Sequence, residues 1–177
     1  MTDLLNRATL WRDYPALLKA ARLEMPAPAV LDGPPREAAM RRCIALLWGA
    51  FAEQSLSWIG FYAKVPAADE MVLVCREPKP ACSPIGLHGM CGRGWQERRT
   101  IIIPDVRTLG PHYIACDPKD QSELVLPVMN ADGSCWGVLD ADSFDLNAFD
   151  EHDARGMAVL MERLGISAPT DSRPIRL

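Results

Sequence analysis

The chain has 177 residues, with 19 Lys and Arg against 23 Asp and Glu and a formal charge of −4. That length fits one domain whose core hides about 70% of the unfolded surface, so no disulfide or metal staple is needed. The acidic balance lacks the electrostatic footprint of a nucleic-acid binder, and no apolar run approaches the roughly 20 residues that span a bilayer.

The N-terminal stretch MTDLLNRATLWRDYPALLKAARLEMP is interrupted by charges throughout. It lacks the unbroken apolar segment of a signal peptide, which predicts a cytoplasmic chain. A first helix is expected within 3–23, followed by the Pro-rich connection EMPAPAVLDGPP over 24–35. A second helix is expected over 36–53, where Met40, Cys43, Ile44, Leu47 and Phe51 keep the i, i+3, i+4 spacing of one buried face. SWIGFYAKV (57–65) and EMVLVCR (70–76) read as a strand hairpin joined by PAAD. Residues 80–95, PACSPIGLHGMCGRGW, read as irregular loop. TIIIPDV (100–106) is a short buried strand.

SELVLPVM (122–129) and CWGVLDADS (135–143) flank Asp132-Gly133, a strong hairpin-turn signal. Pro127 predicts an edge position or a bulge for its strand. The last helix starts at Asp150 as N-cap, buries Met157, Leu160, Met161 and Leu164, and stops at Gly165. Hairpins make the sheet mainly antiparallel with helices packed on it, an α+β fold. The expected division is a helix and connection over 1–35, one domain over 36–166, and a flexible tail over 167–177.

Six cysteines in a cytoplasmic chain do not predict a static disulfide framework, because cellular reductants keep thiols reduced. Cys43 and Cys135 fit core positions, and Cys75 is ambiguous. Cys82, Cys91 and Cys116 fall in loop-like sequence, where a thiol meets substrate or oxidant. Asp140 and Asp142 alternate with Leu139 and Ala141, so the two acids share one strand face. They form either a solvated strand end, a site for an ammonium group, or an acid of raised pKa. Trp58, Gly60 and Tyr62 share a face that is either core or pocket lining. A structural zinc site from Cys82, His88, Cys91, His112 and Cys116 is disfavoured, because no C-x-x-C spacing occurs among them. No metal or other cofactor is expected.

W-x-GFY, KPAC, IACD followed by SE-x-V-x-P, and GVLD-x-DS together resemble the GAF-domain free methionine-(R)-sulfoxide reductase family over roughly 55–165. Residues 74–78 and 86–90 depart from that family's loop pattern. The resemblance implies a GAF-like fold. It implies that Cys116 is the nucleophile, that Cys82 forms a disulfide with it, and that Cys91 is a second resolving or relay cysteine. It further implies that Glu123, Asp140 and Asp142 hold the substrate, with Trp58 and Tyr62 around the pocket. The implied partners are free methionine sulfoxide and a thioredoxin-like reductant that recycles the disulfide. Neither nucleic acid nor membrane is expected, and the oligomeric state, a homodimer included, is left open. The alternative is a GAF module that senses a small molecule or redox state without turnover.

Overall fold

The computed structural model describes residues 11–113, 116–170 and 173–177. Four helices, α1 (Tyr14–Ala20), α2 (Gly33–Phe51), α3 (Met90–Glu97) and α4 (Glu151–Arg163), surround one sheet. Its strands are β1 (Trp58–Lys64), β2 (Glu70–Glu77), β3 (Ile85–Gly86), β4 (Ile101–Ile103), β5 (Ser122–Met129), β6 (Cys135–Ser143) and β7 (Ile175–Arg176). Their order is β3-β2-β1-β6-β5-β4-β7, and every pairing is antiparallel except that of β4 with β7.

The sheet is covered on both faces, and strand alternation sorts side chains between them. Ile59 and Phe61 of β1, Leu124, Leu126 and Val128 of β5, and Leu139 and Ala141 of β6 point toward α2 and α4. There they meet Met40, Leu47, Phe51, Met157 and Leu160 in the main core. The two amphipathic helices therefore share one side, as their stripes predict. Trp58, Tyr62, Val125 and Val138 point to the other side, against Met90, Cys91 and the short helix α3. All eight residues of β5 are buried because it has a helix on each face.

Helix ends follow the local chemistry. Asp150 caps α4 by accepting from the His152 and Asp153 amides, while the Asp153 carboxylate returns a bond from the Asp150 amide. Gly165 adopts φ +70 just past the helix, a conformation open to glycine. Of the first expected helix, 14–20 is formed, and residues 1–10 lie outside the described residues. Arg12 is fully buried, pairs with Asp153 at 3.0 Å and donates to the Ala148 carbonyl at 3.0 Å, which ties this end of the chain to α4.

Pro127 meets the second of its two expected settings: β5 lies between β6 and β4 rather than at an edge, and its register shifts nearby. It is tolerated because β4 reaches only to Val125, leaving the flank of β5 beyond it without a strand partner, and a register irregularity follows at Val128/Met129. Two expectations change: residues 90–95, read as loop, belong to α3. Within 167–177, Ile175–Arg176 forms β7, with the Ile175 amide bonded to the Thr100 carbonyl at 2.8 Å.

Candidate active site

The site is built on the α3 side of β1, β6 and β5. Strand register sets its floor. Asp142 lies between Trp58 of β1 and Glu123 of β5, and Asp140 lies between Gly60 and Val125. The alternation that sends Leu139 and Ala141 into the main core sends both aspartates into the pocket. A Cβ at Gly60 would stand 2.3 Å from the Trp58 indole, so only glycine lets the ring lie across β1 beside Asp140. Tyr62 continues this face, its ring centroid 6.1 Å from that of Trp58.

Two loops form the mouth, and the aromatics of the floor hold one of them. The Trp58 indole N–H donates to the Lys79 carbonyl at 2.9 Å, and the Tyr62 hydroxyl donates to the Cys82 carbonyl at 2.8 Å. The 77–84 segment is thereby fastened to β1. Lys79 forms an ion pair with Asp117, which draws the Cys116 loop against the same segment. Cys116 and Cys82 are both exposed, and the Cys116 thiol lies near enough to the side chain and backbone of Cys82 for both to act on its ionisation. The two thiols expected to form a disulfide are therefore neighbours. All six cysteines are in the thiol form.

Cys91 differs from its expectation as a loop thiol. It sits in the first turn of α3 and is buried, with its sulfur within 4.8 Å of a carboxylate oxygen of Asp140. The glycines of MCGRGWQE weakened the helical signal, but packing requires them. A Cβ at Gly92 would lie 2.1 Å from the Leu87 carbonyl oxygen, and one at Gly94 would lie 2.8 Å from Val125.

The pocket encloses about 460 Å³ of empty space, part of it open to solvent. Trp58, Tyr62, Cys91, Cys116, Glu123, Asp140 and Asp142 all line it, so every expected site residue except Cys82 converges there. Tyr113 and Asp120 line it as well and were not anticipated. Asp120 closes the charged run DPKD, which reads as a solvated turn. No local pattern separates it from Asp117, although its place three residues before Glu123 puts it at the entrance to β5.

The electrostatics follow from burying acids together. Burial pushes Glu123 and Asp142 well above the usual carboxylate range, and the Asp140 charge adds to both. Asp140 is pushed up to about 7 by burial, against the opposing hydrogen bond from Cys91. Asp120 rises to about 6 through burial and the neighbouring Asp117 charge. The Oδ1 atoms of Asp140 and Asp120 are hidden from solvent without a hydrogen-bond partner among the described residues. Such acceptors suit a cationic donor entering the pocket. Burial, the nearby Cys82 and the acidic field also raise the Cys116 thiol, to about 12.

Comparison with known proteins gives this arrangement a family. The sequence matches the GAF domain over residues 30–168. It is 35% identical to the free methionine-R-sulfoxide reductase of Escherichia coli, over 66% of this chain and 69% of that one. The fold matches the free methionine-R-sulfoxide reductase of Neisseria meningitidis, solved in complex with its substrate, at 33% identity. The TM-score is 0.67, over 87% of each chain. The chain belongs to the GAF-domain free methionine-R-sulfoxide reductase family. Among its relatives is also GAF domain-containing protein A of Dictyostelium discoideum, 39% identical over 68% of this chain and 76% of that one. Within the reductase family fold, the departures at 74–78 and 86–90 fall at the end of β2, in the mouth segment and before α3. The sheet that carries the acids is left intact.

Proposed function

We propose that the chain reduces free methionine-R-sulfoxide to methionine, with Cys116 as nucleophile and Cys82 as its resolving partner. The observation that carries this reading is the proximity of these two thiols at the mouth of a pocket floored by buried carboxyls. The substrate's ammonium sits among Glu123, Asp140 and Asp142 and balances the charge of one of them, while the others keep their protons. Its S-methyl group lies against the Trp58 indole, a favourable sulfur–aromatic environment. A peptide-bound methionine sulfoxide has no ammonium and leaves the acids unpaired, so the pocket selects the free amino acid.

Sulfoxide sulfur accepts a thiol only when its oxygen is protonated or strongly hydrogen-bonded. The raised carboxyls supply that proton at neutral pH. Cys116 attacks sulfur as its own proton is released to the acid cluster, and oxygen passes to Cys116. Methionine leaves, and Cys116 becomes a sulfenic acid. The Cys82 thiol then attacks the sulfenic sulfur, water departs, and the Cys82–Cys116 disulfide forms. A thioredoxin-like dithiol reduces it by exchange through the exposed sulfurs.

The test is methionine release from each sulfoxide epimer, free and peptide-bound, with a thioredoxin system. Release confined to the free R epimer is expected. Release from peptide substrates at a comparable rate, or none from any, overturns the proposal.

A further inference from the structure

The floor of the pocket sets Cys91, which the proposed reduction does not use, beside two of the carboxyls that it does. Cys91 Sγ and one carboxylate oxygen each from Glu123 and Asp140 all lie within 4.8 Å of one another. The three side chains come from different elements, α3, β5 and β6, and all are buried. We propose that this trio binds a thiophilic divalent cation of the zinc class, and that the cation blocks the position taken by the substrate's ammonium. The competition rests on the reductase reading above, whereas binding of the metal does not.

Two observations point to a cation. Oδ1 of Asp140, a residue only 8% exposed, lines the pocket without a hydrogen-bond partner among the described residues. A buried carboxylate oxygen left in this way calls for a donor or a metal. The second is the composition of the trio. Two oxygens and a thiolate form a zinc-type donor set, whereas magnesium and calcium take oxygen alone. Zinc bonds of about 2.1 to 2.3 Å place tetrahedral ligand atoms roughly 3.5 Å apart.

Three anionic ligands and a divalent ion leave one net negative charge, against three for the same ligands ionised without a metal. The fourth corner faces the pocket, where Cys116 and Asp142 stand on the wall and a water can enter. Binding releases the Cys91 proton, and any held by the carboxyls, to solvent; no electrons move. This set shares only Cys91 with the cysteine and histidine set disfavoured from sequence.

Cobalt(II), a spectroscopic stand-in for zinc, tests the site in the fully reduced, metal-free protein. A near-ultraviolet thiolate-to-cobalt band should appear, be removed by Zn²⁺ and persist in a Cys82→Ser/Cys116→Ser variant. Cys91→Ser should abolish the band. Asp140→Asn, a second variant that keeps the thiol, should weaken cobalt binding by about tenfold or more. Free methionine, which carries the same ammonium, should displace the metal. No band, a band that survives Cys91→Ser, or equal displacement by Mg²⁺ would overturn the site. A band that methionine leaves untouched would overturn the proposed competition and count against the ammonium pocket. Sulfoxide reduction without any cobalt band would sink the metal site alone.

Discussion

Replacing Asp140 with Asn should stabilise the fold at alkaline pH while impairing turnover, because the buried acids are placed for function at the expense of stability. Asp140 is only 8% exposed, and burial lifts its pKa from 3.8 to about 7. At 1.36 kcal/mol per pH unit, that rise is worth about 4 kcal/mol as an upper estimate, since Glu123 and Asp142 share protons with it. The sign follows from proton binding. Between pH 4 and 7 the folded state holds a proton that the unfolded chain has lost. Stability is therefore complete below about pH 4 and falls as pH rises through about 7. Asn carries no charge to bury, so Asp140→Asn removes this loss. Its carbonyl still accepts from Cys91, and its amide faces the neighbouring carboxyls. Urea unfolding under reducing conditions, from pH 4 to 8.5, should show a flatter profile for the variant. The variant should gain about 2–4 kcal/mol at pH 8, and methionine release should fall at least about tenfold. Identical pH slopes for the two proteins, with no gain at pH 8, would refute the picture of a strained acid cluster.

The other predictions address separate parts of the site. Cys116→Ser should release no methionine even in a single turnover, and Cys82→Ser should release about one per enzyme and then stall, as rapid-quench counting without reductant would show. Gly60→Ala should raise KM for the sulfoxide at least about tenfold, because a Cβ 2.3 Å from the indole displaces Trp58; a folded variant with unchanged KM would remove that ring from substrate binding. Asp117→Asn should slow the Cys82–Cys116 disulfide step relative to methionine release by releasing the Lys79 tether, with high salt slowing the native enzyme in the same direction. Cys43→Ala and Cys75→Ala should keep activity, with any loss appearing in thermal stability, because both sulfurs are packed at α2 and β2 away from the pocket.

The sheet was legible because its strands carry their own punctuation. β5 and β6 run over the predicted 122–129 and 135–143, since Asp132-Gly133 sets the turn and the alternation leaves one register that buries Leu124, Leu126, Leu139 and Ala141. The same alternation gave the shared face of Asp140 and Asp142. What it left open was whether that face was wet. The answer depends on α3, which covers it, and α3 was hidden by Gly92 and Gly94. Those glycines suit close packing against Leu87 and Val125, a tertiary demand that a single sequence does not display. Asp120 was missed for the same reason, because a charge in a turn looks solvated until the fold closes over it.

The distribution of residues between strands and loops follows from the two jobs the site must do. Discriminating a free amino acid requires acids held at fixed separations, and paired strands supply them. Asp142 is locked between Trp58 and Glu123 by backbone pairing on both sides. The thiols face the opposite demand. On the proposed mechanism Cys116 must meet a sulfoxide, then Cys82, then the sulfur of another protein, and no rigid strand position serves all three. They sit on exposed segments, but those segments are fastened where it matters: the Lys79 and Cys82 carbonyls to the Trp58 and Tyr62 side chains, and Asp117 to Lys79. The residues that line the pocket thus also position the loop that carries Cys82. A substitution at Trp58 or Tyr62 should therefore disturb binding and disulfide formation together, whereas one at Glu123 should disturb binding and the first chemical step while leaving the two thiols neighbours.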